Sequence, residues 1–270
     1  MWELTPRSKN EPVQKQPRDA AFWAKRVEKL EVPDVAEGAA NLNVHGRRAV
    51  GALRGFGKMW QKTYRVTLTI VKAMPAEVVQ VWKERFPEFN APQSGFHPSF
   101  AGVPPGEVLL INASLQGMPV YTGVRVIYAD DESFTVMTPE GHPESAWNTF
   151  SAYKEEDGRT IAQVQSLARA NDPIYEVGFR VVVGSKAQVR IWTRVLESLA
   201  AHFGVTEPVS LEKLRVDPKV QWRKPRTSGT TREQDLCSTQ WWPQCAGRVP
   251  FSGAGTKDNS PMGEAVGPRP

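Results

Sequence analysis

A histidine between two carboxylates is the first feature of this sequence that suggests chemistry. Residues 138–144 read TPEGHPE and place His142 between Glu140 and Glu144. An imidazole titrates near neutral pH, and an adjacent carboxylate can orient the ring and raise its pKa, as general acid or base catalysis requires. His142 and Glu144 are therefore the candidate catalytic residues. The alternative is that His142 caps a turn through backbone hydrogen bonds, and the sequence leaves both open.

Several charged and aromatic residues suggest ligand anchoring. Arg169 and Asp172 flank the junction between the last predicted strand of a series and a helical region, where an ion pair that fixes the corner is favoured over an arginine that holds a ligand carboxylate. The chain has nine Trp, a residue that offers a large apolar surface and one N–H donor and that suits a core or a cavity wall. The candidate ligand-binding residues are Trp82, Tyr121, Arg125, His142, Trp147, Arg169 and Trp192.

Several chemistries are disfavoured by missing patterns. The histidines at 45, 97, 142 and 202 are scattered, with no His-x-x-x-His pair and no cysteine nearby, so we expect no metal site. No Gly-x-Ser-x-Gly elbow and no phosphate-binding glycine motif occurs. We therefore expect no cofactor.

The charge of the chain is concentrated near its end. The net charge is +5, and residues 218–270 hold eight Lys and Arg against four Asp and Glu. The rest of the chain has almost no basic excess, so we do not expect nucleic acid to be a partner of the folded part. Both cysteines, Cys237 and Cys245, also lie in this tail, so no disulfide framework is expected. Without an apolar leader or a membrane-length apolar run, the sequence predicts a cytoplasmic protein with no membrane span.

The apolar spacing predicts an α+β protein. A helix is expected from residue 19, a strand over 64–72 where apolar and polar residues alternate, and an amphipathic helix from Pro75 to Phe86. After a loop over 87–106, five short β-prone runs joined by turn residues predict an antiparallel meander. They cover 107–113, 119–129, 133–138, 146–153 and 160–168. A long helix over 186–203 follows, and Gly204 is expected to end it.

Composition divides the chain into three parts. Residues 1–18 and 218–270 are polar, lack apolar periodicity and are predicted to be disordered, the second as a basic tail. Residues 19–217 are predicted to form one domain.

The order of these elements resembles the SRPBCC superfamily, which includes START, Bet v 1-like and polyketide-cyclase-like proteins. The Gly-His-Pro-Glu segment at 141–144, Phe150-Ser151 and Ala168-Arg169 resemble a bacterial and plant family of domains of unknown function within it. That family has acidic residues where this chain has SAWN at 145–148, so no role of those acids transfers. The resemblance implies a helix-grip fold, in which a curved antiparallel sheet holds a long C-terminal helix around a cavity.

Three functions follow from this interpretation. The favoured one is binding of a small hydrophobic or amphipathic molecule between the sheet and the C-terminal helix. The second is a polyketide-cyclase-like enzyme in the same cavity, with His142 and a neighbouring carboxylate transferring protons. The third is binding of a partner or nucleic acid through the basic tail.

Overall fold

One antiparallel sheet of eight strands organises the computed structural model, which describes residues 19–32, 35, 38–41, 43–69, 73–90, 94–98, 102–115, 118–173, 175–176 and 184–217. The strands are β1 Phe56–Leu68, β2 Ser94–Pro98, β3 Val108–Leu115, β4 Met118–Ala129, β5 Ser133–Met137, β6 Glu144–Lys154, β7 Thr160–Ala170 and β8 Ser210–Asp217. The α-helices whose bounds lie within the described residues are α1 Pro75–Glu84 and α2 Gly184–His202. The strand order is β2-β3-β4-β5-β6-β7-β1-β8. The predicted α+β class and the meander β3 to β7 agree with this topology.

Single residues in the sequence mark where α1 begins and where α2 ends. Pro75 occupies the first turn of α1, where its missing N–H is not needed. Gly204 has φ 72°, and Val205 N donates to Ala200 O at 2.9 Å, the hydrogen bond of a Schellman C-cap after α2. The buried stripe of α2 contains Trp192, Val195, Leu196 and Leu199.

The two faces of the sheet have different neighbours. We call the face that packs on α1 and α2 the inner face. Its central row joins Tyr64, Val164, Phe150 and Phe134 across β1, β7, β6 and β5. These four side chains are less than 1% exposed, so the inner face forms the main core.

The opposite, outer face is partly covered by the chain that precedes β1. Leu30, Val32 and Val44 pack there on Val108 and Leu110 in a second, smaller core. The predicted helix from residue 19 is wrong, because only Asp19–Phe22 forms a short 3-10 helix. Ala24 N instead donates to Ile127 O at 2.9 Å beside β4, and Trp23 contacts Tyr128 with ring centroids 4.9 Å apart. Contacts with the sheet therefore outweigh the weak tendency of a short segment to form a helix.

Three strands differ from the predicted pattern. β1 begins at Phe56 instead of residue 64, with a register shift between Phe56 and Trp60. β2 lies inside the predicted loop, and β8 follows α2 where no strand is expected from the sequence. Both are edge strands, and the side chains of β8 are largely exposed. An exposed edge strand does not need the alternation that marks a half-buried one, so sequence periodicity misses it.

The two predicted disordered segments, 1–18 and 218–270, lie outside the described residues. Within the described part, no helix is long and apolar enough to cross a membrane.

Candidate functional site

A buried polar cluster lies on the inner face beneath α2. Lys62, Ser166 and Asn148 stand side by side on β1, β7 and β6, and all three are at most 8% exposed. Gln188 of α2 contacts this group. Its Nε2 donates to Ser166 Oγ at 3.2 Å and to Glu144 Oε2 at 2.9 Å. Lys62 Nζ donates to Gln188 Oε1. We call Lys62, Glu144, Ser166 and Gln188 the inner polar cluster.

The two ionisable groups of this cluster have shifted pKa values in opposite directions. Burial lowers the pKa of Lys62 because the ammonium loses its water, although Glu144 partly offsets the shift. Burial likewise raises the pKa of Glu144, and Lys62 partly offsets it. Loss of solvation thus exceeds the mutual attraction at both groups. A base and an acid of this kind could exchange protons with a bound molecule.

Three polar atoms next to the cluster have no hydrogen-bond partner among the described residues. They are Tyr64 Oη, Asn148 Oδ1 and Trp192 Nε1, and each is buried. Tyr64 lies one pleat along β1 from Lys62, and burial raises the pKa of its hydroxyl. Trp192 follows Gln188 by one turn of α2 and is therefore on the same helix face. Buried polar atoms nearly always have a partner, which can be a water molecule or a ligand atom, so each of these three atoms is available to one.

Aromatic rings continue the inner face away from the polar cluster. Phe150 contacts Trp192 at a centroid distance of 5.4 Å, Trp82 at 5.3 Å and Phe86 at 5.2 Å. Trp82 is fully buried in this core. A cavity of about 380 Å³ opens beside Phe86, Phe96 and Leu109, between α1 and strands β2 and β3. The cavity is therefore on the same face of the sheet as the unpartnered polar atoms, although Phe150 and Trp192 do not line it.

His142 lies on the turn between β5 and β6 and binds the backbone. His142 Nδ1 lies 2.9 Å from both Glu144 N and Glu144 O, so it accepts from the first in one tautomer and donates to the second in the other. Although the residue as a whole is half-buried, burial of the ring lowers the pKa of His142 to about 4. The expectation that a carboxylate raises this pKa is wrong, because desolvation of the imidazolium dominates. The geometry is that of the turn-capping alternative.

Asn171 fixes the same turn to the end of β7. Its Nδ2 donates to His142 O at 2.8 Å, and its backbone N donates to Pro143 O at 3.0 Å. Ser145 Oγ donates to Asn171 Oδ1 at 2.9 Å. The turn thereby holds the start of β6, from which the Glu144 carboxylate reaches Gln188.

The corner at Arg169 is built differently from the sequence prediction. Arg169 pairs with Asp217 of β8 at 3.1 Å instead of with Asp172. Asp172 Oδ1 accepts a hydrogen bond from Tyr175 N at 3.0 Å, as a helix N-cap does. The Arg169 side chain has no exposed surface, and its Nε and Nη1 lack partners among the described residues. Asp217 competes for Arg169 because β8, which the sequence did not reveal, brings it close.

The remaining candidates fall on both faces of the sheet. Trp82 and Trp192 belong to the inner core, whereas Tyr121, Arg125 and Trp147 alternate onto the outer face. A single cavity cannot be lined by both groups, although the sequence analysis placed them together. Whether each residue binds a ligand stays a prediction.

Sequence reasoning missed most of the polar residues under α2. Lys62, Ser166 and Asn148 occupy inward positions of three strands, in phase with Tyr64, Val164 and Phe150. A polar residue in the inward phase of a strand is the signal that would have identified them, provided that the strand bounds were known. No group of three or more His, Cys, Asp or Glu suited to a metal ion occurs among the described residues.

Comparison with known proteins gives likeness to solved structures alone. No protein-family model and no curated protein matches the chain. The KanY protein is 12% identical, with a TM-score of 0.41 over 53% of this chain and 95% of its own. Ara h 8.0201 is 10% identical, with a TM-score of 0.39 over 54% and 97%. Ginseng major latex-like protein 151 from Panax ginseng is 12% identical, with a TM-score of 0.38 over 54% and 99%.

Proposed function

We propose that the protein binds a small amphipathic molecule between the inner face of the sheet and α2, in the manner of a helix-grip domain. The observation that carries the proposal is the set of unpartnered buried atoms Tyr64 Oη, Asn148 Oδ1 and Trp192 Nε1. Leaving a buried polar group unpaired costs about 1–3 kcal/mol. A ligand that supplies the missing partners recovers that free energy and is thereby selected over a purely apolar guest.

The apolar part of the ligand would lie against the aromatic rings. Phe150 contacts both Trp192, beside the inner polar cluster, and Phe86, which lines the cavity between α1, β2 and β3. A ligand that hides ~300 Å² of apolar surface gains roughly 7 kcal/mol before association costs. Because micromolar affinity needs about 8 kcal/mol, the polar anchors decide whether binding is useful.

Tyr64→Phe tests this proposal by removing one hydroxyl and no ring. We expect binding of 2-naphthol, measured by its fluorescence, to weaken about five- to tenfold, while binding of naphthalene stays unchanged. The free energy of unfolding without ligand should stay constant or rise by up to about 1 kcal/mol, because an unpaired hydroxyl leaves the core.

Tyr153→Phe is the matched control, since Tyr153 alternates onto the outer face of β6. It should change neither affinity. Equal weakening of both probes by Tyr64→Phe, or of neither, would show that the hydroxyl is not the anchor. Native mass spectrometry of the purified protein would then look for a bound molecule directly.

A second candidate function is an enzyme in the same place. Its support is the inner polar cluster, where a lysine with a lowered pKa and a carboxyl with a raised pKa share Gln188. Glu144 and Lys62, and not His142, would then transfer protons. A change of a bound molecule by the wild type that is lost in Glu144→Gln would favour this function over binding alone.

We also propose that residues 19–217 form the folded unit. A chain that ends at residue 218 keeps β8 and the Asp217 carboxylate on the buried Arg169, so its melting temperature should match that of the full chain within a few degrees. A chain that ends at residue 209 lacks β8 and should melt clearly lower. A clearly lower melting temperature of the chain that ends at residue 218 would show that the tail packs on the domain.

A further inference from the structure

A second cavity, of about 610 Å³, lies on the outer face of the sheet. Its floor is a row across three strands, in which Arg125 of β4 stands beside Met137 of β5 and Met137 beside Trp147 of β6. Its walls come from the segments around residues 26–29 and 48–54, which precede β1. The inner face, with α2 and the unpartnered Tyr64, is on the other side of the sheet.

The charge of this cavity is strongly one-sided. One carboxylate, Glu28, lines it together with five cations, which are Arg26, Lys29, Arg48, Arg54 and Arg125. Four of the cations are exposed at the rim, and Arg125 is 8% exposed. None of the four rim side chains forms an ion pair with a carboxylate in the described part of the chain. An excess of cations over carboxylates raises the local concentration of anions.

The guanidinium of Arg125 is positioned by a backbone hydrogen bond. Its Nη2 donates to Lys25 O at 2.7 Å, and the row of the sheet fixes its strand position. Burial lowers the pKa of Arg125, because the guanidinium lacks its full hydration. A bound anion would replace that hydration with a charge-assisted hydrogen bond.

The rest of the lining is apolar and includes an indole. Val27, Leu53, Ile127 and Met137 line the cavity beside Trp147, whose Nε1 is buried without a hydrogen-bond partner among the described residues. Gly51 faces this ring so closely that a Cβ there would lie 2.4 Å from Trp147 Nε1. A glycine is thus required at this wall.

We propose that the outer-face cavity binds an organic anion that carries an apolar ring system. The rim cations and Arg125 recognise its carboxylate, sulfonate or phosphate, and the ring lies on Trp147, Ile127 and Met137. An inorganic anion would satisfy the charges but leave most of the apolar lining in water. The volume falls within the roughly 300–1,000 Å³ of small-molecule sites. This site is separate from the one on the inner face and does not depend on it.

A pair of fluorescent probes with the same rings tests the charge requirement. 8-Anilino-1-naphthalenesulfonate carries a sulfonate, and N-phenyl-1-naphthylamine does not. We expect Arg125→Gln and, separately, Arg54→Gln to weaken sulfonate binding by about tenfold and to leave the neutral probe unchanged. Added salt should weaken the sulfonate alone. Arg54 is exposed, so its variant remains informative if Arg125→Gln does not fold.

Arg194→Gln is the charge-matched control, because Arg194 is exposed on α2 on the other side of the sheet. It should leave both affinities unchanged. Tyr64→Phe separates the two cavities, since it should not alter sulfonate binding. Sulfonate affinity that is insensitive to Arg54 and Arg125, or equally sensitive to Arg194, would overturn the proposal. A dissociation constant of the sulfonate probe above ~1 mM, which corresponds to a binding free energy of only about 4 kcal/mol, would also overturn the proposal.

Discussion

Trp82→Ala is expected to lower the free energy of unfolding by about 3–5 kcal/mol. Trp82 is fully buried on α1 and contacts Phe150 and Phe134 at centroid distances of 5.3 and 6.2 Å. Those two rings are themselves stacked at 4.6 Å, so they are fixed and cannot collapse into the space that the indole leaves. A large cavity would remain next to the main core. The loss of stability should therefore exceed the free energy of transferring the indole from the core to water.

Urea denaturation of the wild type and the variant measures this loss. Trp82→Phe should cost much less, because it keeps an aromatic ring and removes an N–H that has no partner among the described residues. Trp60→Ala serves as the control, since Trp60 lies on β1 but is 38% exposed. If Trp82→Ala cost no more than Trp60→Ala, then α1 would not be packed on the sheet as described.

Acidification from pH 6.5 to 4 is expected to remove about 3 kcal/mol of stability through His142 alone. The pKa of His142 is lowered from 6.5 to about 4 in the folded protein by burial of the ring. Between these values the unfolded chain binds a proton at this site and the folded chain does not, so the free energy of unfolding falls as the pH falls. Above pH 6.5 both states are neutral and the contribution is fully present.

His142→Asn isolates this effect. An asparagine side-chain oxygen can accept the hydrogen bond from Glu144 N in an Asx-turn, and it does not titrate. The difference between wild type and variant should therefore grow as the pH falls from 6.5 to 4 in denaturation curves. The comparison also cancels Glu144, whose raised pKa favours the folded state as the pH falls toward 4.5.

His45→Asn is the matched control, because His45 Nδ1 also accepts a backbone hydrogen bond, from Val32 N, but the residue is exposed. The acid sensitivity should persist in it. Parallel pH profiles for wild type and His142→Asn would mean that the imidazole is hydrated and that the turn is more open than described. A loss of 2-naphthol binding in His142→Asn at neutral pH would instead restore the ligand-binding interpretation of Gly-His-Pro-Glu.

The elements with local signals agree well between sequence and structure. The alternation that predicts a strand over 64–72 corresponds to the part of β1 with Tyr64, Val66 and Leu68 buried. The meander from β3 to β7 follows the predicted runs, because each strand is half-buried and each connection contains turn residues. Pro75 and Gly204 mark helix ends through fixed φ and positive φ, which are properties of single residues.

The candidate site was predicted less completely. His142 and Glu144 were selected because they stand together in the chain, yet their side chains act in different ways. The ring of His142 binds the backbone of its own turn, whereas Glu144 reaches Gln188 on α2. Gln188 gave no signal, since a lone polar residue in a helix is ordinarily exposed, and the inward phase of Ser166 becomes a signal once the bounds of β7 are known.

The amino-acid sequence by itself determined the α+β class, the antiparallel meander and the absence of a basic excess before residue 218, because these depend on residue type and short spacing. Only the tertiary structure decided which polar residues share a buried surface. Register across β1, β7 and β6 aligned Lys62, Ser166 and Asn148, and packing of the chain before β1 turned Arg125 and Trp147 into the floor of a separate cavity. Strand alternation fixes which residues share a face but not which face meets the helices, and that choice follows from long-range packing.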